Sequence, residues 1–229
     1  MDFETREQAG AILASALQAY ADKKPIVYAL PRGGLPVAAV VAASLKAPLD
    51  LILVQKIGAP GHAELAIGAV VDGAAPTVIL HNDSIEELGI GADYINTARV
   101  NALREIERRR ALYLHDQQPI SATGRTAIII DDGLATGATM EAAATAIRKS
   151  GPDQLIIAAP VAPSETLDRL RKIADEVVCI ETPTPFWSVG GQYRSFPQLS
   201  DNDVIEILAR FNSQSVVNAD LGNQERNTA

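Results

Sequence analysis

The most informative part of the sequence is Thr126-Ala-Ile-Ile-Ile-Asp-Asp-Gly-Leu-Ala-Thr-Gly-Ala-Thr-Met140. Its residues from Ala127 to Ile130 are apolar and mostly β-branched, a pattern typical of a parallel strand that is covered on both faces. Two carboxylates, Asp131 and Asp132, follow directly. We expect them at the carboxyl end of this strand, which is the edge where open α/β sheets bind their ligands.

The loop after the two carboxylates suits a phosphate group. From Gly133 to Thr139 its only large side chain is that of Leu134, so backbone N–H groups can approach a ligand closely. The loop leads into a predicted helix N-terminus, which attracts anions. Carboxylates repel phosphates but accept hydrogen bonds from sugar hydroxyls. The pattern therefore predicts a phosphorylated sugar as ligand, and the structural alternative is an ordinary strand and helix joined by an Asp-Asp-Gly turn.

The segment AIIIDDGLATGAT closely resembles the phosphoribosyl-pyrophosphate (PRPP) signature of the type I phosphoribosyltransferases. The resemblance spans roughly Phe3 to Phe211 and implies a doubly wound, mostly parallel α/β sheet with a small C-terminal hood. It implies that Asp131 and Asp132 bind the ribose 2- and 3-hydroxyls. It also implies that the 5-phosphate is bound by the loop residues Ala135, Thr136, Gly137, Ala138 and Thr139.

A second loop is a candidate for binding pyrophosphate. A predicted strand from Ile26 to Leu30 delivers Pro31-Arg-Gly-Gly34 to the start of a helix. A guanidinium beside unobstructed backbone amides suits a pyrophosphate. The loop resembles the pyrophosphate loop of the same family, so Arg32, Gly33 and Gly34 are predicted ligands. The alternative is a glycine pair needed only for a tight turn.

The glycine-rich segment from Gln55 to Glu64 predicts a mobile loop of the length of an active-site lid. A lid in this position would close over PRPP and exclude water from an activated sugar. Lys56 is its candidate for a pyrophosphate-binding cation, the alternative being a solvated loop lysine. The sequence assigns no role to His62 or Glu64.

The segment from Thr182 to Phe196 departs from the alternation of strands and helices. It holds the only tryptophan and two of the four phenylalanines, next to glycines and prolines. Aromatic side chains held in a loop can stack on a flat ring. Some phosphoribosyltransferases place such a hood over the acceptor, the molecule that receives the phosphoribosyl group. By this resemblance, we predict that the hood at about residues 182–200 covers the acceptor through Phe186 and Trp187. The alternative is a small satellite core under a long loop.

Composition narrows the class of protein. A chain of 229 residues with 47% hydrophobic content has room for one α/β domain, predicted over residues 1–212 and followed by a flexible tail at 213–229. The net charge of −8 argues against a nucleic-acid surface. The lone Cys179 excludes an intrachain disulfide framework. Without a basic apolar leader or a membrane-length apolar run, we expect no membrane partner and a cytoplasmic location.

The resemblance implies an enzyme of nucleotide metabolism that is commonly dimeric. Such a phosphoribosyltransferase moves the 5-phosphoribosyl group from Mg²⁺-PRPP to a nucleobase or another small nitrogenous acceptor and releases pyrophosphate. Asp131, Asp132, Arg32 and Lys56 are its expected catalytic residues, acting by position and charge. Mg²⁺ is expected to bind through PRPP oxygens and water, with the two acids as further oxygen donors.

The acceptor stays open. Hypoxanthine-guanine enzymes of the family carry an aspartate at the position of Ala135 and a lysine after the signature, where this chain has Pro160-Val-Ala162. The residues of the signature are closer to those of the adenine-type enzymes, but the hood does not follow that of the adenine enzymes. Two other functions also stay open: a non-catalytic PRPP-binding regulator or sensor on the same fold, and a phosphatase that hydrolyses an activated sugar.

Overall fold

The fold is built on two β-sheets. The computed structural model describes residues 2–73, 76–115 and 117–226. In chain order its strands are β1 (Ile26–Ala29), β2 (Leu49–Leu51), β3 (Val54–Ala59), β4 (His62–Val71), β5 (Thr77–Leu80), β6 (Thr126–Ile130), β7 (Gln154–Val161) and β8 (Glu176–Glu181). The larger sheet has the order β2-β1-β6-β7-β8, and all its pairings are parallel.

Helices cover both faces of the parallel sheet. They are α1 (Arg6–Ala16), α2 (Gly34–Leu45), α3 (Asn82–Glu87), α4 (Ala92–Leu114), α5 (Ala138–Lys149), α6 (Ser164–Leu170) and α7 (Asp201–Arg226). None of the helices in the described part of the chain has the length and hydropathy that a bilayer crossing requires.

Strand β6 shows how the two layers form. Its buried Ile128 and Ile130 pack in a core with residues of α1, α2, α4 and α7. Its buried Ala127 and Ile129 pack in a second core with residues of α5 and α6. Because successive side chains of a strand point to opposite faces, an uninterrupted apolar run fills both cores. The predicted doubly wound, mostly parallel α/β sheet is confirmed.

The predicted loop from Gln55 to Glu64 is instead a β-hairpin, so the loop prediction was wrong. Strands β3 and β4 pair antiparallel, and β5 adds to β4 to complete the smaller sheet. The glycines that suggested a loop have local roles. Gly58 lies where the register of the pair shifts, and Gly61 turns the hairpin with a φ of 74°. Buried Ile57 anchors the hairpin to the main core.

The hood contacts the segment before α1. Apart from a short 3₁₀ turn at Gly190–Gln192, residues 182–200 have little regular structure. Phe3 forms a parallel bridge with Tyr193, and the Arg194 N–H donates to the Phe3 carbonyl over 2.8 Å. The segment before α1 is therefore part of the hood.

The last helix, α7, continues to Arg226 and so extends into the segment that the sequence assigns to a flexible tail. Residues 227–229 lie outside the described residues. A flexible tail over 213–229 and a single domain over 1–212 stay predictions.

Replacing Ile128 with alanine should strongly destabilise the fold. Ile128 is fully buried at the centre of the parallel sheet, and deleting such a side chain costs the transfer free energy plus a cavity, together about 2–5 kcal/mol. Chemical denaturation measures this loss. The control is Val100→Ala on α4, whose side chain is 40% exposed and whose loss should change the free energy of unfolding by about 0.5 kcal/mol or less. Equal denaturation midpoints for the two variants would contradict the burial of Ile128 at the centre of the parallel sheet.

Candidate functional site

The candidate site lies where β1 and β6 end side by side. Ala29 is paired with Ile130, so both strands end at the same level. The Leu30 N–H continues the ladder by donating to the Ile130 carbonyl over 2.9 Å. The two loops predicted to bind pyrophosphate and ribose therefore start as direct neighbours. The peptide bond between Pro31 and Arg32 is cis.

The glycine pair is required by close approach rather than by a turn. A Cβ atom on Gly33 would overlap Asp132 Oδ2 and lie only 2.7 Å from Asp132 Cγ. A Cβ atom on Gly34 would lie 2.7 Å from the Ile130 carbonyl oxygen and 2.8 Å from Asp131 Cα. Gly33 has a φ of −62°, which any residue can adopt. The tight-turn alternative is therefore not supported.

The Asp132 carboxylate is buried and ion-paired. The residue is 8% exposed, and Arg6 Nε donates to its Oδ2 over 2.7 Å. The Tyr193 hydroxyl donates to the Asp132 main-chain carbonyl over 2.5 Å. Sequence reasoning missed both partners. No local pattern could have found Arg6, which lies 126 positions away in an ordinary amphipathic helix.

The two acids differ in their surroundings. Burial raises the pKa of Asp131 well above its usual range, and the neighbouring Asp132 charge raises it further. Burial also raises the pKa of Asp132, but the Arg6 guanidinium opposes this shift by favouring the ionised form. The Asp131 side chain accepts a hydrogen bond from the Asp132 N–H over 2.9 Å. Asp131 as a whole residue is partly exposed, but its carboxyl group is buried, as the direction of its pKa shift reflects.

The loop between β6 and α5 presents unpaired amides. Among the described residues, the N–H groups from Ala135 to Thr139 have no hydrogen-bond partner. Two carbonyl oxygens of the loop accept hydrogen bonds from side chains of α6. The Thr166 hydroxyl donates to the Ala135 carbonyl over 2.7 Å, and Arg169 Nη2 donates to the Thr136 carbonyl over 2.5 Å.

Gly137 completes this loop with a φ of 71°, and a Cβ atom there would lie 2.6 Å from Thr166 Cγ2. Successive free N–H groups at a helix start form an anion-binding cradle. The residues predicted to bind a 5-phosphate thus present unpaired N–H groups at a helix start, and their contact with a 5-phosphate stays a prediction.

Arg32 lies at the edge of a cavity of about 450 Å³. Its guanidinium is partly exposed and 3.6 Å from Asp201 Oδ1, while Arg108 approaches the other oxygen of that carboxylate, also at 3.6 Å. The walls of the cavity include Arg6, Gly33, Asp132, Phe196 and Gln198. The cavity thus brings the Arg-Gly-Gly loop, the buried acid and the hood together.

Lys56 lies elsewhere. It lines a smaller cavity of about 130 Å³ together with Ala138, Thr139 and His81. The lysine is therefore next to the start of α5, on the side of the predicted 5-phosphate loop, and does not share the cavity of Arg32. Its predicted contact with pyrophosphate stays a prediction. His62 is exposed at the start of β4, and the Glu64 side chain is outside the described part of the chain.

The two predicted stacking residues are in different environments. Phe186 packs against the small cluster of Phe3, Val161 and Tyr193, as the satellite-core alternative suggested. Trp187 is 84% exposed. The aromatic ring at the cavity itself is that of Phe196, whose centroid is 3.7 Å from Arg6 Cζ. Sequence reasoning included Phe196 in the hood but gave it no role.

Comparisons with known proteins find similarity to phosphoribosyl transferases. The family model described as "Phosphoribosyl transferase domain" matches residues 4–194. Two proteins from strains of Mycobacterium tuberculosis are each 41% identical over 208 residues, and their names describe them provisionally as phosphoribosyl transferases. The match covers 91% of this chain but 46% of each relative. The chain thus spans about half the length of the curated relatives that it matches.

A solved structure is similar over nearly the whole chain. The crystal structure of the protein TT1426 from Thermus thermophilus shares 37% sequence identity and a TM-score of 0.79, covering 92% of this chain and 99% of that protein. The family match includes the Arg-Gly-Gly loop, the acid pair and the phosphate loop within one continuous range. This chain therefore belongs to the phosphoribosyl transferase domain family.

Proposed function

We propose that this protein transfers the 5-phosphoribosyl group of PRPP to a nucleobase or another small nitrogenous acceptor and releases pyrophosphate. One observation carries the proposal: the unpaired N–H groups from Ala135 to Thr139 lie directly after Asp131 and Asp132 at the carboxyl end of β6. Amides for a phosphate beside carboxylates for hydroxyls match a sugar phosphate. Membership of the phosphoribosyl transferase domain family supports the same reaction.

In the proposed reaction, the residues act by position and charge. The ribose hydroxyls donate hydrogen bonds to Asp131 and Asp132, and the 5-phosphate accepts hydrogen bonds from the loop amides. The partly exposed Arg32 guanidinium binds the pyrophosphate. As the bond from C1 to pyrophosphate breaks, positive charge develops on the ribose ring and a nitrogen of the acceptor bonds to C1. The proton that this nitrogen loses passes to the released pyrophosphate or to water. Fixing both reactants in this geometry removes a large entropic part of the barrier.

Mg²⁺ is proposed to be bound with PRPP, where it would neutralise pyrophosphate charge. In the ranges that the structure describes, no cluster of three or more His, Cys, Asp or Glu side chains could hold a metal ion. The Asp131 carboxylate still offers the hard oxygen donors that Mg²⁺ prefers. One oxygen of Asp132 is already bonded to Arg6. This donor set fits a metal held mainly by substrate oxygens and water.

The finer assignments stay predictions. They are the identity of the acceptor, the role of Lys56 at the pyrophosphate, a homodimer, and a cytoplasmic place in nucleotide metabolism. The chain covers less than half of its curated relatives, so the activity and partners of a longer protein are proposals as well.

Pyrophosphate release from Mg²⁺-PRPP, measured against a panel of purine, pyrimidine and other nitrogenous acceptors, tests the proposed reaction. Release should require one acceptor and should be lost in an Asp131→Asn/Asp132→Asn variant that circular dichroism shows to be folded. Release without any acceptor would instead indicate hydrolysis. No release with any acceptor, despite PRPP binding by calorimetry, would contradict the transferase and favour the sensor.

A Gly33→Ala substitution should weaken PRPP binding because the added methyl group would overlap the Asp132 carboxylate. Misplacing one charged hydrogen-bonding group should raise the dissociation constant by about tenfold or more, as calorimetry can measure. The control is Gly91→Ala, since a Cβ atom at Gly91 would meet nothing within 4 Å and its φ of −71° suits alanine. Equal affinities for both variants would show that the close approach is unimportant for binding.

A Trp187→Ala substitution should raise the KM for the acceptor while leaving the melting temperature unchanged. The side chain is 84% exposed, so its loss removes little packing, whereas loss of stacking on a base costs about 1–3 kcal/mol, or roughly fivefold or more in affinity. Steady-state kinetics and thermal unfolding measure the two effects. Phe186→Leu should show the opposite pattern, because Phe186 packs in the satellite cluster. An unchanged KM in Trp187→Ala would exclude the stacking role.

A further inference from the structure

We propose that Arg6 is a positioning residue, which holds the Asp132 carboxylate in the orientation that accepts a ribose hydroxyl. The inference rests on the proposed function, because it concerns how the same site binds PRPP. It adds a residue of α1, which lies before the first strand and holds none of the site residues predicted from the sequence.

The Arg6 guanidinium is fixed from three directions. The residue is 6% exposed, and its Nε donates to Asp132 Oδ2 over 2.7 Å. Its Nη1 donates to the Pro197 carbonyl of the hood over 2.8 Å. The Phe196 ring lies against the guanidinium, with 3.7 Å between its centroid and Cζ. A planar fork with these contacts has little freedom to rotate, so it defines where Oδ2 lies.

Asp132 is confined between Arg6 and the Arg-Gly-Gly loop. Gly33 lies so close to the carboxylate that a Cβ atom there would overlap Oδ2. Arg6 bonds to this same oxygen, so Oδ1 lies outside the ion pair, and the Asp131 carboxyl is the neighbouring side chain that still contacts the Asp132 carboxylate. A carboxylate that is held by one oxygen can offer the other to a ligand in a constant direction.

Arg6 also balances the charge of a buried group. Leaving a buried carboxylate unpaired is costly, because water no longer solvates it. The other charged or titratable groups around Asp132 are Asp131 next to it, Arg32 at the shared cavity and Tyr193 of the hood. Arg6 is the one cation among the described residues that forms an ion pair with Asp132. If the ion pair were merely structural, substituting Arg6 would not change the affinity for PRPP relative to that for pyrophosphate.

A double-mutant cycle separates the two roles. Calorimetry would measure the dissociation constants of PRPP and of inorganic pyrophosphate for the wild type, Arg6→Lys, Asp132→Asn and the double variant. Lysine keeps the charge but lacks the fork that reaches Asp132 and Pro197 together. Arg6→Lys should therefore raise the PRPP dissociation constant by about tenfold and leave that of pyrophosphate unchanged. In the Asp132→Asn background the same substitution should have no further effect on PRPP.

Two further variants keep the test decisive. Arg194→Lys is the matched control, since Arg194 also joins the hood to the N-terminal segment, through an exposed pair with Glu4 at 2.6 Å, and should leave PRPP binding unchanged. If Arg6→Lys does not fold, Phe196→Leu loosens Arg6 without removing the ion pair and should raise the PRPP dissociation constant roughly threefold.

The outcomes are distinct. Additive effects of Arg6→Lys and Asp132→Asn, or equal weakening of PRPP and pyrophosphate, would overturn the positioning role while leaving the proposed function intact. A normal PRPP affinity in folded Arg6→Lys, or in Phe196→Leu where it is the variant used, would overturn it as well. Wild-type protein that does not bind PRPP would contradict the proposed function and the positioning role together.

Discussion

The candidate site depends on one constraint, the parallel pairing of β1 with β6. Because Ala29 is paired with Ile130, the loops that follow the two strands leave the sheet at the same level and compete for the same space. They fit only because Gly33 and Gly34 have no side chains at the points of contact with Asp132, Ile130 and Asp131. The position of the two acids therefore depends on the two glycines in the neighbouring loop. The uninterrupted apolar sequence of β6 makes this pairing possible by filling cores on both faces of the sheet.

Placing two acids at this edge has an electrostatic cost, and the surrounding structure offsets it. Burial raises the pKa of both carboxyls, and the charge of Asp132 raises that of Asp131 further. Arg6 opposes this effect at Asp132, and the hood holds Arg6 through the Pro197 carbonyl and the Phe196 ring. The hood therefore supports the acid pair as well as bordering the cavity. Its link to the Phe3 segment explains why residues that are far apart in the sequence meet at the centre of the site.

The sequence predicted correctly those parts of the fold that depend on residues close together in the chain. The apolar run of β6, the acids after it and the small-residue loop before α5 all lie within one stretch, so both the sheet and a loop with free amides could be predicted from it. The β3–β4 hairpin could not, because glycines at a register shift and at a turn look like a loop until the pairing partner is known. Arg6 and Tyr193 were missed for a different reason. Their contacts with Asp132 span 126 and 61 positions, and only the folded chain brings them together.

In the proposed function, the carboxyl end of β6 binds PRPP through its acid pair and loop amides. A crystal structure of the protein with Mg²⁺-PRPP would locate each part of the ligand. We expect the 5-phosphate on the N–H groups from Ala135 to Thr139, the ribose hydroxyls within hydrogen-bonding distance of Asp131 and Asp132, and the pyrophosphate beside Arg32. Density for the ribose away from both acids, with the phosphate bound elsewhere on the protein, would overturn this assignment.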